Sequence, residues 1–333
     1  MATIKDVAKL ANVSTATVSR VLNKNGYVNK ETETRVKEAI KQLNYLPNDV
    51  ARSLFKGKSK IIALFVPDIT NPFFPELARA VEDYSNYRNY NFVLCNTDND
   101  SEKEIVYLNA LQQKSVDGFI IVSSSITEDD LKRIKVPVVA LDRIISSNVS
   151  SVTVNNREGA GKAVQYLKSI GCERIAHIAG PENISSARER FQGYLDEVEN
   201  ETWYTPKYVA QGKYNFDKAK EAAIDLLTNH PEIDGLFVGN DLMGAGVLNA
   251  AASLGISIPE DLAVIGFDGI SLSKIITPSL TTMAQPVYEI GRRAAEMLIF
   301  QITSEHPEIM SEEFDVQLME RQSTDVREGS YDR

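Results

Sequence analysis

Along the first 45 residues, apolar side chains recur every three or four positions, the period of a helix with one buried face. Ile4, Val7, Ala8 and Ala11 make one stripe; Val36, Ala39, Ile40 and Leu43 make another. Between them lies VSTATVSRVL (residues 13–22), which has helical spacing but is rich in hydroxyl and β-branched residues that favour helices poorly. Its Val18, Val21 and Leu22 fall on one side, whereas Ala16, Ser19 and Arg20 fall on the other, with Thr15 and Thr17 on the flanks. Three helices are predicted, N-capped by Thr3, Ser14 and Asn29, with Asp6 completing a short capping box on Thr3. A fourth, in NYLPNDVARSLFKGKSK, would start at Asn48, line one face with Val50, Ala51 and Leu54, and stop at Gly57. So short a helix is marginal alone in water, which suits a conditional hinge.

From residue 61 the pattern changes to apolar strands alternating with amphipathic helices. Eight strands are predicted: IIALFVPDI, FVLCN, GFIIVSS, VPVVALD, SVTVN, IAHIAG, GLFVGN and LAVIGFDG. That alternation predicts doubly wound parallel α/β structure, and so many strands suit two lobes. The fold class expected is therefore an all-α head with a hinge helix, followed by a two-lobed α/β body. The boundaries expected are 1–46 for the head, 47–59 for the hinge and linker, 60–325 for the body and 326–333 for a frayed tail. Ligands of such sheets bind beyond the carboxyl ends of strands. Polar clusters stand there in DITNPFF (68–74), LDR (141–143), GND (239–241) and FDG (267–269).

Charge sharpens the division. The whole chain carries a formal −10, yet residues 1–60 alone carry +7. A basic head on an acidic body predicts that only the head meets a polyanion. The outward face of the second helix fits such a partner: short hydroxyls bond phosphates or base edges, small side chains let a helix enter the major groove, and an arginine pairs bidentately with guanine. Two cysteines, Cys95 and Cys172, and three scattered histidines, His177, His230 and His306, form no metal-ligand cluster. Neither those histidines nor the carboxylates form an acid–base or nucleophile constellation, and no glycine-rich phosphate loop is present, so a non-enzyme without cofactor or metal is expected. The longest apolar run, IIALFV, is too short to cross a membrane. The N-terminus lacks a secretory pattern, so a cytoplasmic protein is expected.

The segments TIKDVAKLANVSTATVSRVLN and YLPNDVARSL resemble the helix-turn-helix and hinge of the lactose-repressor family of bacterial transcription regulators. The resemblance runs through head and body. It implies that Thr15, Ala16 and Arg20 read bases, and that Thr3, Ser14, Thr17, Ser19, Asn23 and Tyr45 contact the DNA backbone. Leu54 would be the minor-groove wedge that kinks the duplex. Phe55 departs from the small or basic residue often found beside that wedge. A homodimer on a pseudo-palindromic operator is implied, with no membrane partner.

The body is also similar to periplasmic sugar-binding proteins, above all ribose binders, through NPFF, LDR, SSARERFQGY, NFD, GND, GFDG and AQP in order. That likeness assigns sugar contacts to Asn71, Phe73, Phe74, Asp142, Arg143, Arg190, Phe216, Asn240, Asp268 and Gln285. The chemistry agrees, since sugar hydroxyls both donate and accept while aromatic rings cover C–H faces. Two Asp and two Arg leave that set formally neutral, which suits an uncharged polyol better than a sugar phosphate. The segment after Tyr194, which leads to Phe216, departs from that likeness in being shorter than in many relatives. Together these readings predict a repressor of ribose uptake and catabolism genes, released from its operator by D-ribose. The alternatives are a relative with another effector, such as a purine corepressor or a catabolite-control protein, and a sugar-transport receptor. The pair Asp142–Arg143 suits a polyol better than a flat base, while the basic head argues against a transport receptor.

Overall fold

Each helix of the head starts where a side chain satisfies a backbone N–H that the helix itself cannot. The computed structural model describes residues 2–23, 25–45, 58–122 and 126–325. The chain divides into two units, Met1–Ser59 and Lys60–Arg333. In the first, α1 (Ile4–Leu10), α2 (Thr15–Asn23) and α3 (Lys30–Gln42) form a small bundle. Thr3 and Asp6 make the reciprocal capping box, the Ser14 hydroxyl accepts from Thr17 N at 3.1 Å, and Asn29 accepts from Thr32 N at 2.8 Å. Val7, Ala8, Ala11, Val18, Val36 and Ala39 are buried at the centre, with Ile4, Val21, Leu22, Ile40, Leu43 and Tyr45 packed around them. The predicted stripes are therefore the ones that meet. The hinge residues from Leu46 to Gly57, Leu54 and Phe55 among them, lie outside the described residues.

In the second unit, near-continuous apolar runs form strands buried on both faces, as parallel sheets covered by helices require. The first sheet has the order β2–β1–β3–β4–β5–β11, from β1 (Ile61–Val66), β2 (Asn91–Asn96), β3 (Gly118–Ile121), β4 (Val138–Leu141), β5 (Ser150–Val154) and β11 (Ser311–Phe314). The second runs β7–β6–β8–β9–β10–β12, from β6 (Ile175–Ala179), β7 (Val209–Gln211), β8 (Gly235–Val238), β9 (Ala263–Asp268), β10 (Thr281–Ala284) and β12 (Gln317–Met319). All pairings are parallel except that of β12 with β10.

The chain passes between lobes three times. It leaves β5 for α7 (Asn156–Ser169), which packs on β8, β9 and β10 of the second sheet. It returns from β10 into α12 (Val287–Thr303), which packs on β3, β4 and β5 and on α4 (Phe73–Tyr87) of the first. It crosses last from β11 to β12. A ligand gripped by both lobes thus acts on three connected strands of chain at once.

All eight predicted strand segments contain strands, and four further strands lie outside them. β7, β10, β11 and β12 read VAQ, TTMA, SEEF and QLM, too short or too polar to register as apolar runs. Tertiary pairing, not propensity, makes them strands. β1 ends at Val66 because Pro67 has no N–H to donate to the ladder.

Candidate functional site

The carboxyl ends of the strands converge on a cleft between the two lobes. The first lobe supplies Asn71, Phe73 and Phe74 from the entry to α4, and Asp142 just past β4. The second supplies Ser186 and Arg190 from α8 (Ser185–Val198) and Tyr214 from the loop before α9 (Phe216–Asn229). It also supplies Asn240, which caps α10 (Asp241–Leu254), Asp268 at the end of β9, and Gln285 after β10.

Most polar groups here are already held. Asn71 Oδ1 accepts from Phe73 N at 3.1 Å, and Asn240 Oδ1 accepts from Met243 N at 2.9 Å. The Phe73 and Phe74 rings meet edge to face, 5.3 Å between centroids, an arrangement that fixes both. Arg190, only 4 % exposed, is the hub. Its Nε donates to Asn156 Oδ1 at 2.8 Å, and its Nη1 donates to Gly239 O at 2.7 Å and Asp268 Oδ1 at 3.1 Å. The guanidinium also lies 3.9 Å over the Phe267 ring. Gln285 Nε2 donates to the same Asp268 Oδ1 at 2.7 Å.

Burial pushes the Asp268 carboxyl up to about 6, against the pull of Arg190 and Gln285. Asp142 is half-buried by its surface, but its carboxyl is enclosed, and that burial raises its pKa while Arg190 opposes the rise. Behind the cleft, Asp241 accepts from Thr282 Oγ1 at 2.6 Å and Ile270 N at 3.0 Å. Burial, and then the neighbouring Asp268, hold its pKa well above the usual carboxylate range. Three residues of the lining also sit in the left-handed backbone region: Asp142 at φ 63°, Tyr214 at 54° and Asp268 at 112°. Non-glycine residues adopt that region at a cost, and such strain gathers at ligand clamps.

Eight of the ten sugar contacts expected from sequence line this cleft, and two do not. Arg143 Nη2 donates instead to Ile126 O in its own lobe, with Glu104 nearby. Phe216 opens α9, and Tyr214, two residues earlier, lines the cleft in its place. Without Arg143 the lining holds two carboxylates and one guanidinium, a formal −1 instead of zero. Ser186, Tyr214 and Asn156 were missed. Ser186 and Tyr214 stood within or beside the quoted motifs, whereas Asn156 acts only through Arg190. His177 belongs to the core, stacked on Phe237 at 4.8 Å with Nδ1 2.9 Å from Phe237 O, and burial lowers its pKa to about 4.

In the head, Thr3, Ser14, Thr15, Ala16, Arg20 and Asn23 are exposed, while Thr17, Ser19 and Tyr45 are half-buried. Ser14 and Thr17 hydroxyls lie 3.0 Å apart, and Asn23 Nδ2 donates to Ser19 O at 2.9 Å. Tyr45 packs on the head core as well as reaching the surface.

Residues 3–48 match the bacterial regulatory proteins of the lacI family, and residues 164–324 match the periplasmic binding protein-like domain. The chain is 46 % identical over 330 residues to the ribose operon repressor of Halalkalibacterium halodurans, covering 99 % of each. A lacI-family transcriptional regulator from Enterococcus faecium with bound ribose superposes with a TM-score of 0.72 at 29 % identity, over 79 % of this chain and 98 % of that one. The lac repressor dimer bound to operator and the anti-inducer ONPF shares the fold, with a TM-score of 0.86 at 24 % identity over 97 % and 99 % of the two chains. With a full-length relative this similar and a matching head, the chain belongs to the lacI family of bacterial regulatory proteins and is a DNA-binding repressor, not an enzyme.

Proposed function

We propose that the chain represses genes for ribose uptake and catabolism, and that D-ribose releases it from its operator. The observation that carries the effector is the cleft itself. Asp142, Asp268, Asn240 and Gln285 share its lining with a single buried guanidinium, and two phenylalanines supply the aromatic walls. A sugar phosphate would add negative charge to a lining already at −1, with no second cation to offset it. An uncharged pentose asks for that mixture of acceptors, donors and ring faces. The full-length likeness to a ribose operon repressor, and the ribose held by the Enterococcus faecium regulator, support the choice.

On the DNA side, Thr15, Ala16 and Arg20 enter the major groove and Thr3, Ser14, Thr17, Ser19, Asn23 and Tyr45 hold the backbone, two heads reading a pseudo-palindrome. Leu54 is assigned the central wedge. A ligand shifts DNA affinity only by preferring one of two body conformations. Ribose, touching both lobes, draws them together and changes the spacing of the two first lobes in a homodimer. By reciprocity, operator DNA weakens ribose binding by the same factor.

The test is a calorimetric panel of pentoses, hexoses, ribose 5-phosphate and purines, followed by titration of the bound sugar into the repressor–operator complex at fixed salt. Ribose is expected to bind without phosphate and to lower operator affinity. Binding of ribose that leaves operator affinity unchanged or raises it refutes the mechanism; binding of a purine alone refutes the effector.

A further inference from the structure

Asn155 and Asn156 follow one another where the chain first leaves the first lobe, yet only one of them is needed to start α7. Asn155 is that one: its side chain accepts from Glu158 N at 3.3 Å, and its own N–H reaches Phe314 O, at the end of β11, at 3.0 Å. Asn156 is only 2 % exposed, and a buried amide is costly unless its donors and its acceptor are met. Here they are met. Oδ1 accepts from Arg190 Nε at 2.8 Å, while Nδ2 donates to Val154 O at 3.2 Å and to Glu189 Oε2 at 3.3 Å. A flipped amide would not serve, because Arg190 only donates and Val154 O only accepts.

The first turn of α7 is also where two of the three crossings meet. A Cβ on Gly159 would come within 2.5 Å of Val316 Cγ2, in the link from β11 to β12, and within 3.1 Å of the Phe267 ring. Phe267 is the ring over which the Arg190 guanidinium lies. Arg190 therefore reaches the crossings by two routes: through the Asn156 amide to the end of β5, and through the Phe267 ring to the turn packed on Val316. Only the first is a chain of directional bonds.

We propose that Asn156 is a positioning residue, whose amide aims the Arg190 guanidinium at the cleft and ties it to the end of β5, so that filling the cleft bends the first crossing. The proposal rests on the reading of the cleft as a sugar site whose occupancy moves the lobes. A sugar that draws on Arg190 pulls on Asn156, and the other end of that amide holds the last carbonyl of β5. A small apolar side chain at position 156 would leave Arg190 Nε short of its acceptor and let the crossing bend independently.

The experiment compares wild type, Asn156→Ala and Asn156→Asp by calorimetry with ribose, each free and bound to operator DNA, below the unfolding temperature of every variant. Coupling is read as the ratio of the two ribose affinities. Asn156→Ala is expected to bind ribose about tenfold more weakly, the scale of one hydrogen bond to a charged group. Its coupling ratio should move towards one by about two- to thirtyfold. Asn156→Asp keeps an acceptor for Arg190 Nε but cannot donate to Val154 O, so it should bind ribose better than the alanine variant and couple as poorly. A side chain that only packs would alter unfolding and leave the ratio alone. Wild-type ribose affinity in Asn156→Ala, or a wild-type ratio in either variant, overturns the proposal. If the wild type binds no ribose, the sugar reading fails, and hydrogen exchange without sugar still decides whether Asn156 ties Arg190 to the crossing. Residues 153–158 and 186–192 should then lose protection together in Asn156→Ala, and unchanged protection at 153–158 overturns the tie.

Discussion

The head and the cleft solve recognition in opposite ways. In the head, the described groups assigned to DNA lie within residues 3–45, and their hydrogen bonds are local: Thr3 with Asp6, Ser14 with Thr17, Asn23 with Ser19. In the cleft, the groups run from Asn71 to Gln285, and the bonds that hold them span the fold: Arg190 to Asn156, Arg190 to Asp268, Gln285 to Asp268. A polyanion is met at a wet surface, so short local motifs suffice and side chains stay free to adapt. A small neutral ligand must be taken out of water, so its polar partners have to be arranged beforehand. Local order makes a reader of DNA, whereas tertiary order makes a reader of sugar.

The largest expected effect breaks the tertiary side. Asp268→Ala removes the acceptor shared by Arg190 and Gln285 and leaves a buried guanidinium short of its charge partner. Breaking a buried ion pair in this way costs about 3–5 kcal/mol of stability, and ribose affinity should fall by about 100-fold or more as a buried charged contact is lost. Operator binding without sugar should change far less at a temperature where the variant is folded. Calorimetry and fluorescence anisotropy on the same preparation check both arms. Normal ribose affinity would remove Asp268 from the site.

Next in size is a break on the local side. Arg20→Ala should weaken operator binding by about 1–3 kcal/mol and blur base preference at one position of each half-site. Arg20 is exposed on α2, so thermal stability of the head should hardly move. Equal losses on operator and random DNA would reduce Arg20 to a phosphate contact.

The same contrast governs what was legible beforehand. The head could be read almost whole, because caps and helical stripes are short-range: Thr3–Asp6, Ser14 and Asn29 all act where the spacing places them. Buried strands such as IIALFV and AVIGFD were equally plain. Strands made by pairing were not. SEEF and QLM become β11 and β12 only because β5 and β10 offer them edges. In the cleft, residues inside distinctive motifs line the walls, but side-chain direction is not legible in the sequence. Arg143 turns to Ile126 O, and a two-residue displacement puts Tyr214 where Phe216 was expected. Asn156 carried no signal at all, since its role exists only once α7 and α8 are packed side by side.

Acid sharpens the comparison further. The Asp268 carboxyl, free in the unfolded chain near 3.8, is raised to about 6 in the fold by burial, with Arg190 and Gln285 opposing and Asp142 and Asp241 close by. A raised carboxyl pKa means that its ionised form is disfavoured by folding. The associated stability is present below the unfolded pKa and is lost as pH rises through about 6. Sugar hydroxyls donating to the carboxylate act the other way and favour ionisation. Ribose affinity should therefore be flat above pH ~7 and fall by up to about tenfold per unit below pH ~6, with a proton released on binding near that pH. Calorimetry in two buffers of different ionisation heat measures the proton directly. No proton release between pH 5 and 7 would mean that Asp268 does not change its ionisation when sugar binds.

The smallest effect concerns a head residue given two tasks. Ser14 caps α2 by accepting from Thr17 N at 3.1 Å, lies 3.0 Å from the Thr17 hydroxyl, and is also assigned a phosphate. Ser14→Ala removes both, and losing a cap of this kind costs about 1 kcal/mol. Ser14→Asp separates them: the carboxylate still caps and favours the helix N-terminus, but it repels phosphate. The aspartate variant should thus unfold within about 0.5 kcal/mol of wild type, since a good cap replaces a good cap. It should nevertheless bind operator more weakly than the alanine variant. Binding by the two would be measured across a salt series, where the deficit of the aspartate variant should shrink as salt screens the repulsion. If the alanine variant binds operator worse than the aspartate variant, Ser14 serves the helix alone, and the cap rather than the phosphate is what the head needs from it.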